Sequence, residues 1–190
     1  RMSDSTLASL SMGYEFGVTP LQMATAVSTV ANGGEVVEPH LVGAWIRDGH
    51  REEAPRRVLR RAIKPETAAA LTTIMEGVVE PGGTATRAAL QHYRVAGKTG
   101  TAEKVVNGGY SKTETTVSFG GFLPSRQPRL TILVVIDTPR KGPIYGGTIA
   151  APIFRRVAEA AMVHLGVTPS VNVLPPVVVG YLLLLLFGQS

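Results

Sequence analysis

Apolar residues at Met23, Ala26, Val27 and Val30 recur at the i, i+3, i+4, i+7 spacing of one helical face, so this stretch reads as a buried amphipathic helix. Its start is written in Thr19-Pro20-Leu21-Gln22. Thr19 supplies a hydroxyl cap, Pro20 loses nothing by lacking an N–H in the first turn, and Gln22 reaches back to close a capping box. Asn32-Gly33-Gly34 is the stop. From there to Arg61 the apolar runs become short and alternating around Arg47-Asp48-Gly49-His50, and Asp-Gly between such runs predicts a small hairpin. Trp45, on that hairpin, is expected to serve packing. A second helix is predicted from Pro65-Glu66, with Leu71, Ile74, Met75 and Val78 as its apolar face, ending before Pro81-Gly82-Gly83.

Residues 84–90 read as a short polar helix, followed by a strand through Lys98-Thr99-Gly100-Thr101 and a loop at Asn107-Gly108-Gly109. Two β-rich runs, 115–123 and 130–136, flank Pro124-Ser125-Arg126-Gln127-Pro128-Arg129, which reads as an antiparallel connection. Residues 137–147 are rich in Gly and Pro and are expected to be loop. Ile153, Val157, Ala160 and Ala161 then mark a last helix ending at Gly166 and lying across the sheet. From Thr168 a Pro-containing tail ends in an apolar run, 177–187, shorter than the roughly 20 residues a membrane-spanning helix needs. The tail reads equally as a truncated segment, a misread end or a partner-docking strand. The expected organisation is therefore a structured portion over 1–167 and a tail of unknown role over 168–190.

Composition narrows the function classes. With 190 residues, 44% of them hydrophobic, the chain holds one domain or a large part of one. The formal charge of +5 is scattered in local pairs such as Arg56-Arg57 and Arg155-Arg156 and forms no stripe with aromatic platforms, which argues against nucleic acid as a partner. Absence of cysteine excludes disulfides, thiol catalysis and Cys-ligated zinc. His40, His50, His92 and His164 lack metal-ligand spacing and acidic companions, so metal catalysis is not expected. Arg1 is not an initiator methionine and no signal segment follows it, so the chain reads as a fragment.

Candidate chemistry concentrates in Lys98-Thr99-Gly100-Thr101. A strand alternates its side chains between two faces, so a cation can project toward a cleft while threonine hydroxyls stand at its rim. Gly100 bares the backbone to an approaching peptide, and the Thr101 N–H becomes available to a developing oxyanion. Such a strand suits gripping a carboxylate beside a reacting acyl group.

Wider wording strengthens this reading. Gly17-Val18-Thr19-Pro20-Leu21-Gln22, Ala31-Asn32-Gly33-Gly34, Pro39-His40-Leu41-Val42, Gly77-Val78-Val79-Glu80-Pro81-Gly82-Gly83-Thr84, Gly97-Lys98-Thr99-Gly100-Thr101-Ala102, and Tyr145-Gly146-Gly147 before Ala151-Pro152-Ile153-Phe154 stand in order along the chain. Together they resemble the C-terminal part of the transpeptidase domain of a class B penicillin-binding protein, nearest the cell-division type. The resemblance implies an α+β fold, an antiparallel sheet flanked by helices on both faces and incomplete at its N-terminal side. It implies peptidoglycan D,D-transpeptidation: a serine attacks the D-Ala-D-Ala bond of a stem peptide, D-alanine leaves, and a neighbouring amine resolves the acyl-enzyme. Stem peptides and β-lactams are the implied ligands, with no cofactor and no metal. The missing N-terminal part of the same domain and divisome or elongation proteins are the implied partners, at the outer face of the bacterial cytoplasmic membrane. On this resemblance Lys98 sustains the field around the nucleophile, Thr99 and Thr101 hold the terminal carboxylate, and the Thr101 N–H is an oxyanion donor.

The departures are as informative. No S-x-x-K occurs in the chain; Thr101-Ala102-Glu103-Lys104 and Ser170-Val171-Asn172 imitate the family's other motifs in the wrong order and context. Without a nucleophile the chain alone is expected to be inactive. Other readings are a serine β-lactamase or D,D-carboxypeptidase relative, a sensor that binds β-lactam or peptide without turnover, and a scaffold part.

Overall fold

The computed structural model describes residues 4–11, 13, 17–106, 108–140 and 144–171. A first helix, α1 (Asp4–Ser11), precedes α2 (Pro20–Ala31), whose capping box is formed as expected: the Thr19 hydroxyl accepts from the Gln22 N–H at 3.2 Å and the Gln22 side chain accepts from the Thr19 N–H at 2.8 Å. The predicted burial of α2 is only half met. Thr29 alone is fully buried, with Met23, Val27 and Val30 half-buried and Ala26 exposed. One side of the helix meets the sheet and the other opens onto a groove of roughly 590 Å³ lined partly by Leu21, Val30, Val36, Ile63 and Leu71.

Strands β1 (Glu35–Val37), β2 (Ala44–Arg47), β3 (His50–Glu53) and β4 (Val58–Arg61) form two small antiparallel pairs, β1 with β4 and β2 with β3. Asp48 and Gly49, at φ of 51° and 80°, are the two central residues between the paired Arg47 and His50, the backbone that a two-residue hairpin of the native twist requires. Trp45 is 42% exposed on this hairpin and lies near Leu41, Val42 and Pro55, outside the main core, because the two-stranded ribbon stands clear of the sheet. On β1, Glu35 is held below the ordinary carboxylate range, first by its hydrogen bond from Arg56 and then by the charges of Arg56 and Arg61.

Helix α3 (Pro65–Glu76) follows, but its buried face is not the one that hydrophobic periodicity selects. Ala68, Thr72 and Glu76 are buried at four-residue intervals, Ile74 is 68% exposed, and Leu71, Met75 and Val78 are half-buried. Polar residues tolerate burial here because each finds a partner. The Thr72 hydroxyl donates to the Ala68 carbonyl at 2.9 Å, and the Glu76 carboxylate accepts from the Ser125 hydroxyl and, at 2.6 Å, from the Arg126 guanidinium. In place of the expected polar helix after it there is a single 3₁₀ turn, Thr86–Ala88, with buried alanines at 85, just before it, and 88, its last residue.

The central sheet is antiparallel and three-stranded, in the order β5 (Ala96–Val106), β6 (Gly109–Leu123), β7 (Leu130–Asp137). Thr99 pairs with Phe119 and Phe119 with Val134, so alternation places Gly97, Thr99, Thr101, Val117, Phe119 and Leu123 on one face and Lys98, Gly100, Ser118, Gly120 and Phe122 on the other. Helix α4 (Gly146–His164) lies on the first face. Phe119 meets Phe154 edge to face, centroids 4.8 Å apart, within a core that includes Val95, Leu123, Ala150, Ala151, Ala158 and Met162. Helix α2 approaches the second face, where a Cβ at Gly120 would lie 3.4 Å from Val27. The sheet thus has helices on both faces, as expected. β7 pairs only with β6 among the described residues, leaving its outer edge there without a strand, in keeping with the sheet expected to be incomplete.

Helix α4 corrects two expectations. It begins at Gly146, inside the predicted loop, and carries Pro152 within its length. Its buried stripe is Ala150, Ala151, Phe154, Ala158 and Met162, while Ile153 and Val157, expected to face the core, are 43% and 47% exposed, Ala160 is exposed and Ala161 is half-buried. Both stripes have helical period. The sheet takes the one whose alanines permit close approach, with Phe154 filling the space over Phe119.

Candidate active site

β5 is the other edge of the sheet, and the expected site residues lie along it. Register and alternation separate them: Lys98 and Gly100 belong to the face toward α2, Thr99 and Thr101 to the face toward α4. A chain laid along this edge as an added strand would therefore have the cation above it and two hydroxyls below it. Lys98 is exposed; its ammonium donates to the Thr99 carbonyl at 2.7 Å and forms no ion pair among the described residues. Gly100 has a reason to lack a side chain besides ligand approach, since a Cβ there would strike the Ser118 hydroxyl.

The two threonines are tied to segments that come from far along the chain. Thr99 Oγ1 lies 3.1 Å from Thr84 Oγ1, and Thr101 Oγ1 accepts from the Gly146 N–H at 3.4 Å. Thr84 is fixed by its neighbours: the Gly83 N–H donates to the Glu80 carbonyl at 2.8 Å, and the Ala85 N–H to the Val78 carbonyl at 2.9 Å. Gly146 and Gly147 fit between these parts because they have no Cβ. One at Gly146 would sit 2.7 Å from the Gly100 carbonyl oxygen, and one at Gly147 would collide with the Thr84 carbonyl. Sequence reasoning did not single out Thr84 or Gly146 as site residues. Their signal was present in the Gly-Gly-Thr and Tyr-Gly-Gly blocks, which could be matched as words but not placed beside β5.

The start of α4 is braced at the same place. Pro152 has no N–H to give the Thr148 carbonyl, and Arg87 Nη1, on the 3₁₀ turn, lies 3.4 Å from that oxygen. The helix N-terminus that delivers Gly146 is thereby linked to the turn that delivers Thr84.

The two imitating motifs resolve differently. Lys104 sits where the β5–β6 register slips between Glu103 and Val105, and reaches across β6 to Asp137 on β7, 2.8 and 3.1 Å from its carboxylate oxygens. That hydrogen bond raises the Lys104 pKa and lowers that of Asp137, which also accepts from Thr138. Lys104 is thus a clip between strands. The Ser170 and Val171 N–H groups both donate to the His92 carbonyl, and Asn172 lies outside the described residues, as does the apolar run of the tail.

Comparison with known proteins identifies the class that this sheet and edge define. The family described as "Penicillin binding protein transpeptidase domain" matches residues 1–159. Among curated relatives, "Stage V sporulation protein D" of Bacillus subtilis is 36% identical over 168 residues, covering 87% of this chain and 26% of its own length. "Peptidoglycan D,D-transpeptidase FtsI" of Escherichia coli is 32% identical over 176 residues, covering 89% of this chain and 27% of its own. Among solved structures, penicillin-binding protein 3 of Mycobacterium tuberculosis in complex with ampicillin has a TM-score of 0.78 at 30% identity, over 93% of this chain and 41% of that one. The chain belongs to the penicillin-binding-protein transpeptidase family, as its wording implied, and spans about a quarter of the length of these two curated relatives.

Proposed function

We propose that this chain is the C-terminal portion of a peptidoglycan D,D-transpeptidase of the class B type, contributing the carboxylate-gripping and oxyanion side of an acyl-transfer site. One observation supports this most: on β5 a cation stands on one side of an open strand edge, and two threonine hydroxyls, each already engaged by the protein, stand on the other. A stem peptide ending in D-alanine, or a β-lactam imitating it, offers an extended backbone for the edge and a carboxylate for the hydroxyls. In this reading Lys98 polarises the nucleophile and its proton network, Thr99 and Thr101 bind the carboxylate, Gly100 bares the strand, and the Thr101 N–H meets the oxyanion. Losing one such oxyanion donor typically costs on the order of 10²–10³ in rate. The nucleophilic serine and its lysine would come from sequence outside these residues, so the chain by itself does not turn over substrate. The parent acts at the outer face of the cytoplasmic membrane, alongside divisome or elongation proteins. No helix among the described residues is long and apolar enough to span the membrane. The transpeptidase names of the relatives favour this reading over a β-lactamase or a sensor.

The test is intact mass after incubation with a fluorescent penicillin. The full-length protein gains one penicilloyl group and the 190-residue chain gains none. A stable adduct on the chain alone overturns the assignment of the nucleophile to another segment. Lys98→Ala in the full-length protein abolishes acylation without unfolding; acylation within a factor of about two of the wild type, under about 0.5 kcal/mol of barrier, makes Lys98 a solvated lysine.

A further inference from the structure

We propose that Thr84 is a positioning residue of the carboxylate site: with an anion lying along β5 its hydroxyl donates to Thr99, leaving the single Thr99 hydroxyl hydrogen for that anion. This rests on the reading of Thr99 as a carboxylate ligand and adds to it a residue from a separate segment.

A hydroxyl has one hydrogen and two lone pairs, so it can donate once only. Thr101 shows how the protein handles this. Its oxygen accepts from the Gly146 N–H, which cannot do otherwise than donate, and the Thr101 hydrogen is left for a ligand. Among the described residues Thr99 has no backbone donor of this kind; its hydrogen-bonding neighbour there is the Thr84 hydroxyl at 3.1 Å. Between two hydroxyls the direction is free until a third group decides it. With a carboxylate at Thr99 it is decided: were Thr99 to donate to Thr84, its lone pairs would face the negative oxygens. The remaining direction, Thr84 to Thr99 to carboxylate, is a chain in which each bond polarises the next.

Thr84 is also built to hold a position. It sits between Gly83, whose N–H is bonded to the Glu80 carbonyl, and buried Ala85, whose N–H is bonded to the Val78 carbonyl, while Gly147 packs against its own carbonyl. Thr84 is exposed, Thr99 is half-buried, and the hydrogen bond between them is an exposed one. A rigid backbone under an exposed hydroxyl is what a preorganised donor needs.

The test uses second-order acylation of the full-length protein by a penicillin and by the same penicillin with its carboxylate esterified, with thermal melting as a control. Thr84→Val keeps volume and branching and removes the donor. It slows acylation by the acid roughly three- to tenfold and by the ester less than about twofold, and Thr84→Ser, which restores the hydroxyl, recovers the rate with the acid. In a Thr99→Val background, Thr84→Val adds no further loss. An unchanged rate with the acid, an equal loss for acid and ester, or additive losses in the double variant overturns the proposal. If Thr84→Val does not fold, Thr84→Ala is read in the same way with Thr84→Ser as its rescue. Thr99→Val separates the two levels: if it slows the acid while Thr84 variants do not, only the role of Thr84 falls, and if it too is indifferent, the carboxylate site itself is wrongly placed.

Discussion

Thr101 does two things with two atoms, and a substitution can separate them. Its backbone N–H is proposed to meet the oxyanion and its hydroxyl the carboxylate, so Thr101→Val keeps the first and deletes the second. A hydrogen bond to a charged group is worth roughly 1.5–3 kcal/mol. Acylation of the full-length protein by carboxylate-bearing β-lactams is therefore expected to fall about ten- to a hundredfold, with an esterified analogue nearly indifferent. The structure adds a smaller cost, because the Gly146 N–H loses its acceptor; at 3.4 Å that bond is long, and the melting temperature is expected to move only slightly. An equal loss for acid and ester would make Thr101 a shaper of the strand. Lys104 and Asp137 give a second residue-level test, by pH. The Asp137 pKa is lowered, so its contribution is present above the unfolded value and is lost as pH falls through the folded one. The Lys104 pKa is raised, so its contribution is lost as pH rises through its folded value. The stability difference between wild type and Lys104→Met should hence be flat across neutral pH and shrink in acid below the carboxylate range. A difference that changed between about pH 6 and 8, where neither group titrates, would mean that Lys104 acts through something other than this pair.

At the level of elements, the sequence disclosed where structure begins and ends far better than which way it faces. Caps and turns are local chemistry: Thr19 with Gln22, or Asp48 with Gly49, need nothing distant to act, and both formed as read. Faces are decided by what arrives from elsewhere. On α3 and α4 the expected apolar stripes compete with others of equal period, and the stripes that won contain Ala68, Thr72 and Glu76 or Ala150, Ala151 and Ala158, whose value depends on partners invisible in sequence. For Glu76 those partners are Ser125 and Arg126 on the turn between β6 and β7. The site behaves likewise: Lys98 to Thr101 could be read from a motif, whereas Thr84 and Gly146 join it only through folding. Glu76→Ala in the full-length protein leaves the buried Ser125 hydroxyl without its acceptor and gives the exposed Arg126 guanidinium over to water, an expected loss of about 1–3 kcal/mol that a chemical denaturation midpoint would register. Glu76→Gln retains an acceptor for Ser125 and should lose clearly less; equal losses would mean that the charge, and not the hydroxyl contact, is what matters.

For the whole molecule the informative surfaces are the ones left open. Ile153, Val157, Val163 and Leu165 are exposed on or just beyond α4, Leu21 is exposed on α2, and among the described residues β7 presents a free edge with Val135 at 43% exposure. A domain that must remain soluble does not ordinarily leave helix faces and a strand edge apolar together, since an unpaired edge is a template for another chain. With relatives about three times as long, further chain in the proposed full-length protein would be the natural cover for these surfaces. The 190-residue chain on its own is therefore expected to self-associate in a concentration-dependent way, while the full-length protein stays monodisperse at the same protein concentration. Light scattering over a dilution series reads this directly. Val135→Lys puts a charge on the open edge strand without removing a core side chain, so it should reduce association of the chain if the β7 edge carries it. Unchanged association would shift responsibility to the exposed face of α4, where Val157→Lys is the corresponding substitution, and a chain that stays monomeric throughout would show that these apolar surfaces need no cover.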